Sequence, residues 1–165
     1  MKKIISFLGV LAVLASCQQP TSKWSTMKVI QDRPQLSVVN LRDTAADHGD
    51  GLAFEAILRD TTGKQVGEVH GWLVTVDLSD SSEAGIVTTV DKIGNAVFNI
   101  DGEDIVVYGE TSYSQGKHVM NSNSKPQRRA ILGGTGKFRG ITGEIQTTRN
   151  EDSTYLHEFI YKSIE

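Results

Sequence analysis

The feature that most constrains the fold is a glycine-rich stretch from Ile131 to Gly143. It reads Ile-Leu-Gly-Gly-Thr-Gly-Lys-Phe-Arg-Gly-Ile-Thr-Gly and surrounds a single aromatic residue, Phe138. Glycine is used where φ must be positive or where two backbone segments approach closely. The stretch therefore predicts a tight corner between a strand that ends at Leu132 and one that starts near Arg139, with Phe138 plugging that end of the structure.

The same stretch fits nucleotide-binding loops poorly. A P-loop would need glycine at Ile131 and a hydroxyl residue at Phe138. A dinucleotide-binding fingerprint that starts at Gly134 would need glycine at Arg139, and then a helix that the following glycines disfavour. A structural corner is the favoured interpretation.

Beyond Pro34 the chain has the pattern of short antiparallel strands. Apolar, β-branched and aromatic residues alternate or cluster between Gly, Asp and Asn. Asp101-Gly102 suits a type I′ hairpin turn, and Asp60–Lys64 suits a longer hairpin loop. Eight or nine such strands predict a sandwich or a closed barrel, which periodicity alone does not separate. The predicted strands are Gln35–Asp43, Leu52–Arg59, Gln65–Leu78, Gly85–Lys92, Asn95–Ile100, Ile105–Tyr113, Gln127–Leu132, Gly140–Arg149 and Thr154–Lys162.

The N-terminus predicts export and lipid attachment. Two lysines precede an apolar run from Ile4 to Ala15, which is too short to span a membrane and has the layout of a signal peptide. Leu-Ala-Ser-Cys at positions 14–17 resembles a bacterial lipobox, in which the cysteine becomes the lipidated first residue. Acyl chains on Cys17 would anchor the protein to the cell envelope. Gln18 after the cysteine favours the outer membrane in a diderm bacterium.

The predicted organisation is a signal peptide at 1–16, the lipidated cysteine with a flexible tether at 17–34, and one β-domain at 35–165. The formal net charge is −3 with interspersed signs, which argues against nucleic-acid binding. The four histidines lie far apart without a metal-ligand spacing, so neither a metal nor another cofactor is expected.

Two strands raise the question of which face points inward. Alternation places Glu68 and His70 on one face with Trp72. Facing a cavity, they could do acid–base chemistry; facing outward, which we favour, they are an ordinary solvated pair. Tyr155, His157, Phe159 and Tyr161 share a face of the last strand, which indicates core or a subunit contact more than a cavity wall, so a homo-oligomer stays open.

Together these motifs resemble the dirigent and allene oxide cyclase-like β-barrel superfamily. Val66–Trp72 is similar to its V-G-x-x-x-G-aromatic strand, Phe98–Gly109 to its hairpin, and Tyr155–Tyr161 to its aromatic last strand. The resemblance covers roughly Leu36 to Lys162 and implies an all-β, calycin-like, eight-stranded antiparallel barrel with a central cavity. The signature G-G-T-G-x-F-R-x-x-x-G falls on Gly133, Gly134, Thr135, Gly136, Phe138 and Gly143.

What the resemblance implies about function is less specific. Superfamily members cyclise an oxylipin epoxide, steer the coupling of phenoxy radicals or close polyketide rings, without a metal or nucleotide. Arg42-Asp43 aligns with the family's first-strand His-Asp, which makes Asp43 the leading cavity acid. Lys137 and Thr142 replace the aspartate and arginine of pinoresinol-forming dirigents, which counts against radical coupling. The candidate polar groups of the cavity are Asp43, Glu68, His70 and Tyr108.

Three functions remain open at this stage. Binding of a small apolar molecule (phenolic, polyketide-like or oxylipin-like) by a membrane-anchored barrel is slightly favoured. A cofactor-free isomerase or cyclase acting on such a molecule comes next. An adhesion or assembly protein would have an interior filled by side chains.

Overall fold

The computed structural model describes residues 23–41, 48–77, 89–114, 120 and 125–163. Within them the backbone is almost entirely extended, and no helix is long and apolar enough to cross a membrane. The elements are β1 (Lys23–Gln31), β2 (Gln35–Val39), β3 (Gly51–Arg59), β4 (Gln65–Asp77), β5 (Thr89–Ile100), β6 (Glu103–Ser114), β7 (Gln127–Gly134), a 3₁₀ turn (Gly136–Phe138), β8 (Thr142–Arg149) and β9 (Tyr155–Ser163).

All neighbouring strands are antiparallel, in the order β1-β9-β8-β7-β6-β5-β4-β3-β2. The sheet closes where the end of β1 also pairs with β3, through Ile30 with Arg59 and Gln31 with Leu58. After the interruption at 32–34, β2 continues along β3. Because β1 and β2 together act as one bent strand, the fold is a closed eight-stranded antiparallel β-barrel, which confirms the predicted fold class.

The prediction of a flexible tether up to residue 34 is wrong for the part that the structure describes. Residues 23–31 form β1, which pairs with β9 along its whole length. Met27 and Val29 point into the core despite their polar surroundings. Without β1, both β3 and β9 would expose an unpaired edge.

Two strand boundaries also differ from the predictions. The predicted strands Gly85–Lys92 and Asn95–Ile100 merge, from Thr89 onward, into the single strand β5. Gly94 lies inside it because β4 passes so close that a Cβ there would come 1.9 Å from the carbonyl oxygen of Trp72. The strand predicted to reach Asp43 ends at Val39, and Asp43 itself lies outside the described residues.

The glycine corner has the predicted role, with slightly shifted bounds. Gly136 and Gly140 have φ of 52° and 72°, so both adopt the left-handed conformation that favours glycine. At Gly134 a Cβ would lie 2.3 Å from the carbonyl oxygen of Asp104 and 2.6 Å from the Cβ of Phe138. Phe138 is buried in the apolar core, as the sequence predicts.

We call the barrel end that holds this corner the closed end. The other hairpins there are Asp60–Lys64 and the tight turn at Asp101-Gly102, where φ is positive at both residues (54° and 82°), as a type I′ turn requires. Phe98 packs edge-to-face on Phe159, with 5.1 Å between ring centroids. The core above this end is made of Val29, Leu58, Val69, Ala96, Phe98, Ile100, Ile105, Val107, Ile131, Phe138, Ile141, Ile145 and Phe159.

Candidate ligand-binding site

Towards the opposite end, which we call the open end, the barrel interior becomes polar. Side chains two residues apart on a strand point to the same face. Arg129 lies two residues before Ile131 and His157 two residues before Phe159, so both point inward like these core residues. Both side chains are buried, at 7% and 2% exposure. Buried polar residues are uncommon and need partners. The polar residues buried on the inner face are Gln31, Thr75, Lys92, Thr111, Arg129, Thr147 and His157.

Four of these side chains form one hydrogen-bonded chain across three neighbouring strands and β1. Arg129 Nη2 donates to Thr147 Oγ1 at 2.8 Å. His157 lies between Thr147 Oγ1 (2.9 Å from Nδ1) and Gln31 Oε1 (2.8 Å from Nε2). Because the Gln31 oxygen can only accept, Nε2 carries the imidazole proton and Nδ1 accepts from the Thr147 hydroxyl.

The same surroundings keep His157 neutral. Burial, and then the nearby positive charge of Arg129, hold the pKa of His157 well below its ordinary value of 6.5. Both of its ring nitrogens are engaged in hydrogen bonds, so within this chain His157 positions its neighbours and has no free nitrogen to act as a base.

Among the described residues, Arg129 is a buried cation without a compensating negative charge. Burial lowers the pKa of its guanidinium, and no carboxylate among the described residues pairs with it. Its Nε is buried without a hydrogen-bond partner in the described structure. A buried charge ordinarily has an opposite charge or a full set of hydrogen bonds.

Two tyrosines line the same cavity as this cation. Burial raises the pKa of Tyr113 to about 12, despite the opposing effect of Arg129. Burial likewise raises the pKa of Tyr155, whose ring stacks on His157 with 6.5 Å between centroids. Both hydroxyls are therefore neutral at physiological pH and leave the charge of Arg129 unbalanced.

A cavity of about 40 Å³ lies among these groups at the open end. This is room for a few water molecules, whereas pockets for organic ligands measure about 300–1,000 Å³. The predicted central cavity is thus present but largely filled by side chains. The lining combines the polar chain with apolar walls: Gln31, Pro34, Leu36, Leu52, Phe54, Leu73, Tyr113, Met120, Arg129, Thr147, Tyr155 and His157.

A second buried cation, Lys92, has closer compensation. Its Nζ donates to Thr75 Oγ1 at 2.6 Å. Burial lowers the pKa of Lys92, but the negative charge of Asp50 opposes that shift. Asp50 is itself buried and accepts a hydrogen bond from the backbone N–H of Leu41 at 2.9 Å. Lys92 is absent from the cavity lining.

The structure places the sequence-predicted polar groups elsewhere. Glu68 and His70 face outward, as the favoured alternative expects, with 61% and 53% of their side chains exposed. Glu55 of β3 lies on the other side of His70, with 3.9 Å between its Oε2 and His70 Nδ1, along shallow grooves on the outer surface. Tyr108 also points outward, at 44% exposure.

The assignment of Glu68, His70 and Tyr108 to the cavity is therefore wrong. On β4 the inward positions are those of Val69, Leu73 and Thr75, so the even-numbered residues point outward. Trp72 follows the same rule and packs over Gly51 from outside, where a Cβ would come 2.3 Å from its ring. Asp43, the fourth candidate, lies outside the described residues.

Sequence reasoning missed Arg129, Gln31 and Thr147. Arg129 is two residues before Ile131 and therefore faces the same side of β7. The sequence contains this signal, but arginine is usually exposed, so the pattern alone does not indicate a buried position. Gln31 falls in the segment that the sequence predicts to be a tether, whereas it ends β1. Tyr155 and His157 share a face, as alternation predicts. At these two residues that face lines the cavity, which the sequence favours less than core or a subunit contact. Within the described residues, no three His, Cys, Asp or Glu side chains lie close enough together to hold a metal ion.

Sequence comparison identifies the N-terminus only. Residues 1–18 match the family described as prokaryotic membrane lipoprotein lipid attachment site, so the protein is exported and lipid-anchored in the cell envelope. Comparison with curated proteins gives no match.

Three solved structures illustrate the similarity of fold. A pyocyanin demethylase is 21% identical, with a TM-score of 0.63 over 83% of this chain and 99% of its own. A pterocarpan synthase dirigent protein is 14% identical, with a TM-score of 0.61 over 96% of this chain and 98% of its own. A nonspecific heme-binding cyclase that catalyses a [4 + 2] cycloaddition is 14% identical, with a TM-score of 0.65 over 87% of this chain and 68% of its own. At these identities the similarity establishes the barrel fold alone.

Proposed function

We propose that this protein is a lipoprotein member of the dirigent and allene oxide cyclase-like barrels that binds a small organic molecule at the open end. The observation that carries the proposal is the cavity at this end, where apolar walls meet a few convergent polar groups. A largely filled interior is also what an adhesion or assembly barrel would have, but such a barrel would have no need of a buried polar chain beside an internal void.

Ligand entry requires side chains at the open end to move. Leu36 is partly exposed and Met120 is the most adaptable side chain of the lining, because methionine is unbranched and flexible. Displacing both enlarges the cavity towards the size that an organic molecule needs. Phe54 and Leu73 then form the fixed apolar walls.

The lipid anchor orients the site. At most about 20 Å of extended chain lies between Cys17 and the start of β1 at Lys23. Because β1 begins at the closed end, the anchor holds this end near the membrane. The open end then faces the aqueous compartment, which is the periplasm if the anchor lies in the outer membrane of a diderm bacterium.

Binding fits the described lining better than catalysis. Arg129 and the two tyrosines can stabilise negative charge, which a cofactor-free isomerase or cyclase also needs. The described lining, however, contains no carboxylate, and His157 has both nitrogens engaged. The described lining therefore offers an electrophilic group, Arg129, without a general base. A cofactor-free isomerase or cyclase is the second candidate function.

The test is to fill the cavity from inside and to compare an equal addition outside. In Leu73→Phe the larger side chain occupies the cavity, whereas Ile57→Phe adds a ring on the outer surface. Titration of the detergent-solubilised lipoprotein with an apolar fluorescent probe should show at least tenfold weaker binding for Leu73→Phe and little change for Ile57→Phe. Equal binding by both variants would place the probe elsewhere and refute the proposed site. Recovery of a bound molecule in altered form would favour the isomerase or cyclase.

A further inference from the structure

We propose that the ligand of the open-end cavity is a monoanion, an apolar molecule carrying one carboxylate that pairs with Arg129. The inference rests on the proposed function and names the ligand class for that site. It starts from an imbalance of charge: the described lining contains one permanent cation and no acidic side chain.

Burying the positive charge of Arg129 without a nearby anion costs free energy. Arginine keeps its charge in proteins, and its guanidinium presents five N–H donors. Arg129 is 7% exposed, donates from Nη2 to Thr147, and leaves Nε without a partner in the described structure. A hydroxyl supplies a dipole but no charge, so the desolvated guanidinium retains an unmet demand for an anion. A carboxylate matches that demand with charge and with two acceptor oxygens.

Among the described residues, no neighbouring group supplies the negative charge that would compensate Arg129. Tyr113, whose hydroxyl interacts electrostatically with Arg129, has a pKa of about 12 and stays protonated. His157 is neutral and its ring is held between Thr147 and Gln31. Lys92 shows the contrasting arrangement, since Asp50 provides a compensating negative charge within the protein.

The rest of the lining limits the anion to one charge on an apolar body. The walls opposite the polar chain are Leu36, Leu52, Phe54 and Leu73, which offer no donors from their side chains. A phosphate or a dicarboxylate would leave at least one negative charge against these walls. An aromatic or short aliphatic monocarboxylate places its charge on Arg129 and its body on the apolar walls.

The experiment compares two probes of the same shape, 4-ethylbenzoate and 4-ethylbenzamide, by calorimetric titration of the detergent-solubilised lipoprotein. We expect the acid to bind at least tenfold more tightly than the amide. In Arg129→Met this preference should disappear, and in Arg129→Lys it should persist in part. Lys92→Met, which removes the other cation buried among the described residues, is the matched control and should retain the preference.

A second readout separates a ligand-binding role of Arg129 from a structural one. Without ligand, Arg129→Met should have an unchanged or higher melting temperature, because replacing an uncompensated buried charge by an apolar side chain of similar length relieves its cost. A large drop in melting temperature, or failure to fold, would show a structural role and overturn the inference.

The failures of the two proposals are distinguishable. If acid and amide bind equally well to the wild-type protein, the cavity is a ligand site but the anion inference is wrong. If neither probe binds, the proposed function falls and the anion inference falls with it.

Discussion

The two ends of the barrel are formed by the same eight-stranded sheet but differ in the residues that fill their interior. At the closed end, short hairpins and the glycine corner bring backbones together, and Phe138 seals an interior that is apolar throughout. At the open end, the same inward positions carry Arg129 and His157, and space remains between them. Alternation determines which positions face inward in both places, while the residues at those positions decide whether the interior is core or site.

The difference implies a division of roles. The closed end should account for most of the stability, since apolar burial and close packing dominate folding. The open end keeps groups that cost free energy when buried, which is typical of sites that hold a ligand. Substitutions at the closed end should therefore reduce stability, and substitutions at the open end should change binding.

Gly134→Val should have the largest effect and prevent folding. Even a Cβ would meet the backbone of Asp104 at 2.3 Å, so the corner would have to open. The cost would be comparable with the whole stability of a domain, about 5–15 kcal/mol. Circular dichroism of the variant checks this. Gly63→Ala is the control, because a Cβ at Gly63 would meet no atom within 4 Å and the only strain would come from its positive φ of 90°. A folded Gly134→Val would show that the corner tolerates rearrangement.

Phe159→Ala should come next, at about 3–5 kcal/mol, because it removes a fully buried ring that packs on Phe98. Tyr113→Phe at the open end removes only a hydroxyl and should cost about 1 kcal/mol. Denaturant unfolding gives both values. Similar costs for the two substitutions would contradict the division between the ends.

The pH dependence of stability should carry the signature of His157. In the unfolded chain this histidine takes up a proton near pH 6.5, whereas the folded state, with its depressed pKa, does not. The unfolded state then binds more protons than the folded state. The contribution of His157 to the stability of the folded protein is therefore complete above pH 6.5 and is lost as the pH falls below it. The loss is at most about 1.4 kcal/mol per pH unit.

Unfolding titrations of wild type and His157→Gln between pH 7.5 and about pH 5 measure this contribution as a difference in slope. We expect the wild-type protein to lose stability more steeply on acidification. An unchanged slope in His157→Gln would mean that the buried imidazole takes up a proton without cost.

Lys137→Ala should have the smallest effect, although Lys137 lies in the most distinctive sequence motif. Its ammonium is 3.3 Å from Asp101, 3.6 Å from Glu103 and 5.1 Å from the ring centre of Phe138, with 48% of the side chain exposed. Exposed pairs of this kind contribute at most about 1 kcal/mol. Probe binding should be unchanged. A large loss of binding in the folded variant would show that the glycine corner takes part in ligand binding.

The sequence was informative where local rules act. The hairpin at Asp101-Gly102 depends on two residues, and the glycine corner depends on backbone contacts that glycine alone permits, so both could be predicted. The strand β1 could not, because Met27 and Val29 stand among polar residues and the strand forms to cover edges that belong to distant parts of the chain.

The site was harder to predict than the fold. Glu68 and His70 have the residue types of a catalytic pair, but the register of β4 turns them outward. Arg129 has the residue type of a surface position and lies inside, because its phase relative to Ile131 outweighs its charge. Composition shows which residues could do chemistry, and only the tertiary structure shows which of them share a cavity.

Native mass spectrometry of the lipoprotein extracted from the membranes of the producing cell tests the central claim most directly. Ligand binding at the open end predicts a one-to-one complex with a small organic molecule that dissociates on denaturation and is absent from Leu73→Phe. A wild-type barrel that emerges empty, or a bound molecule that Leu73→Phe retains in full, would contradict it.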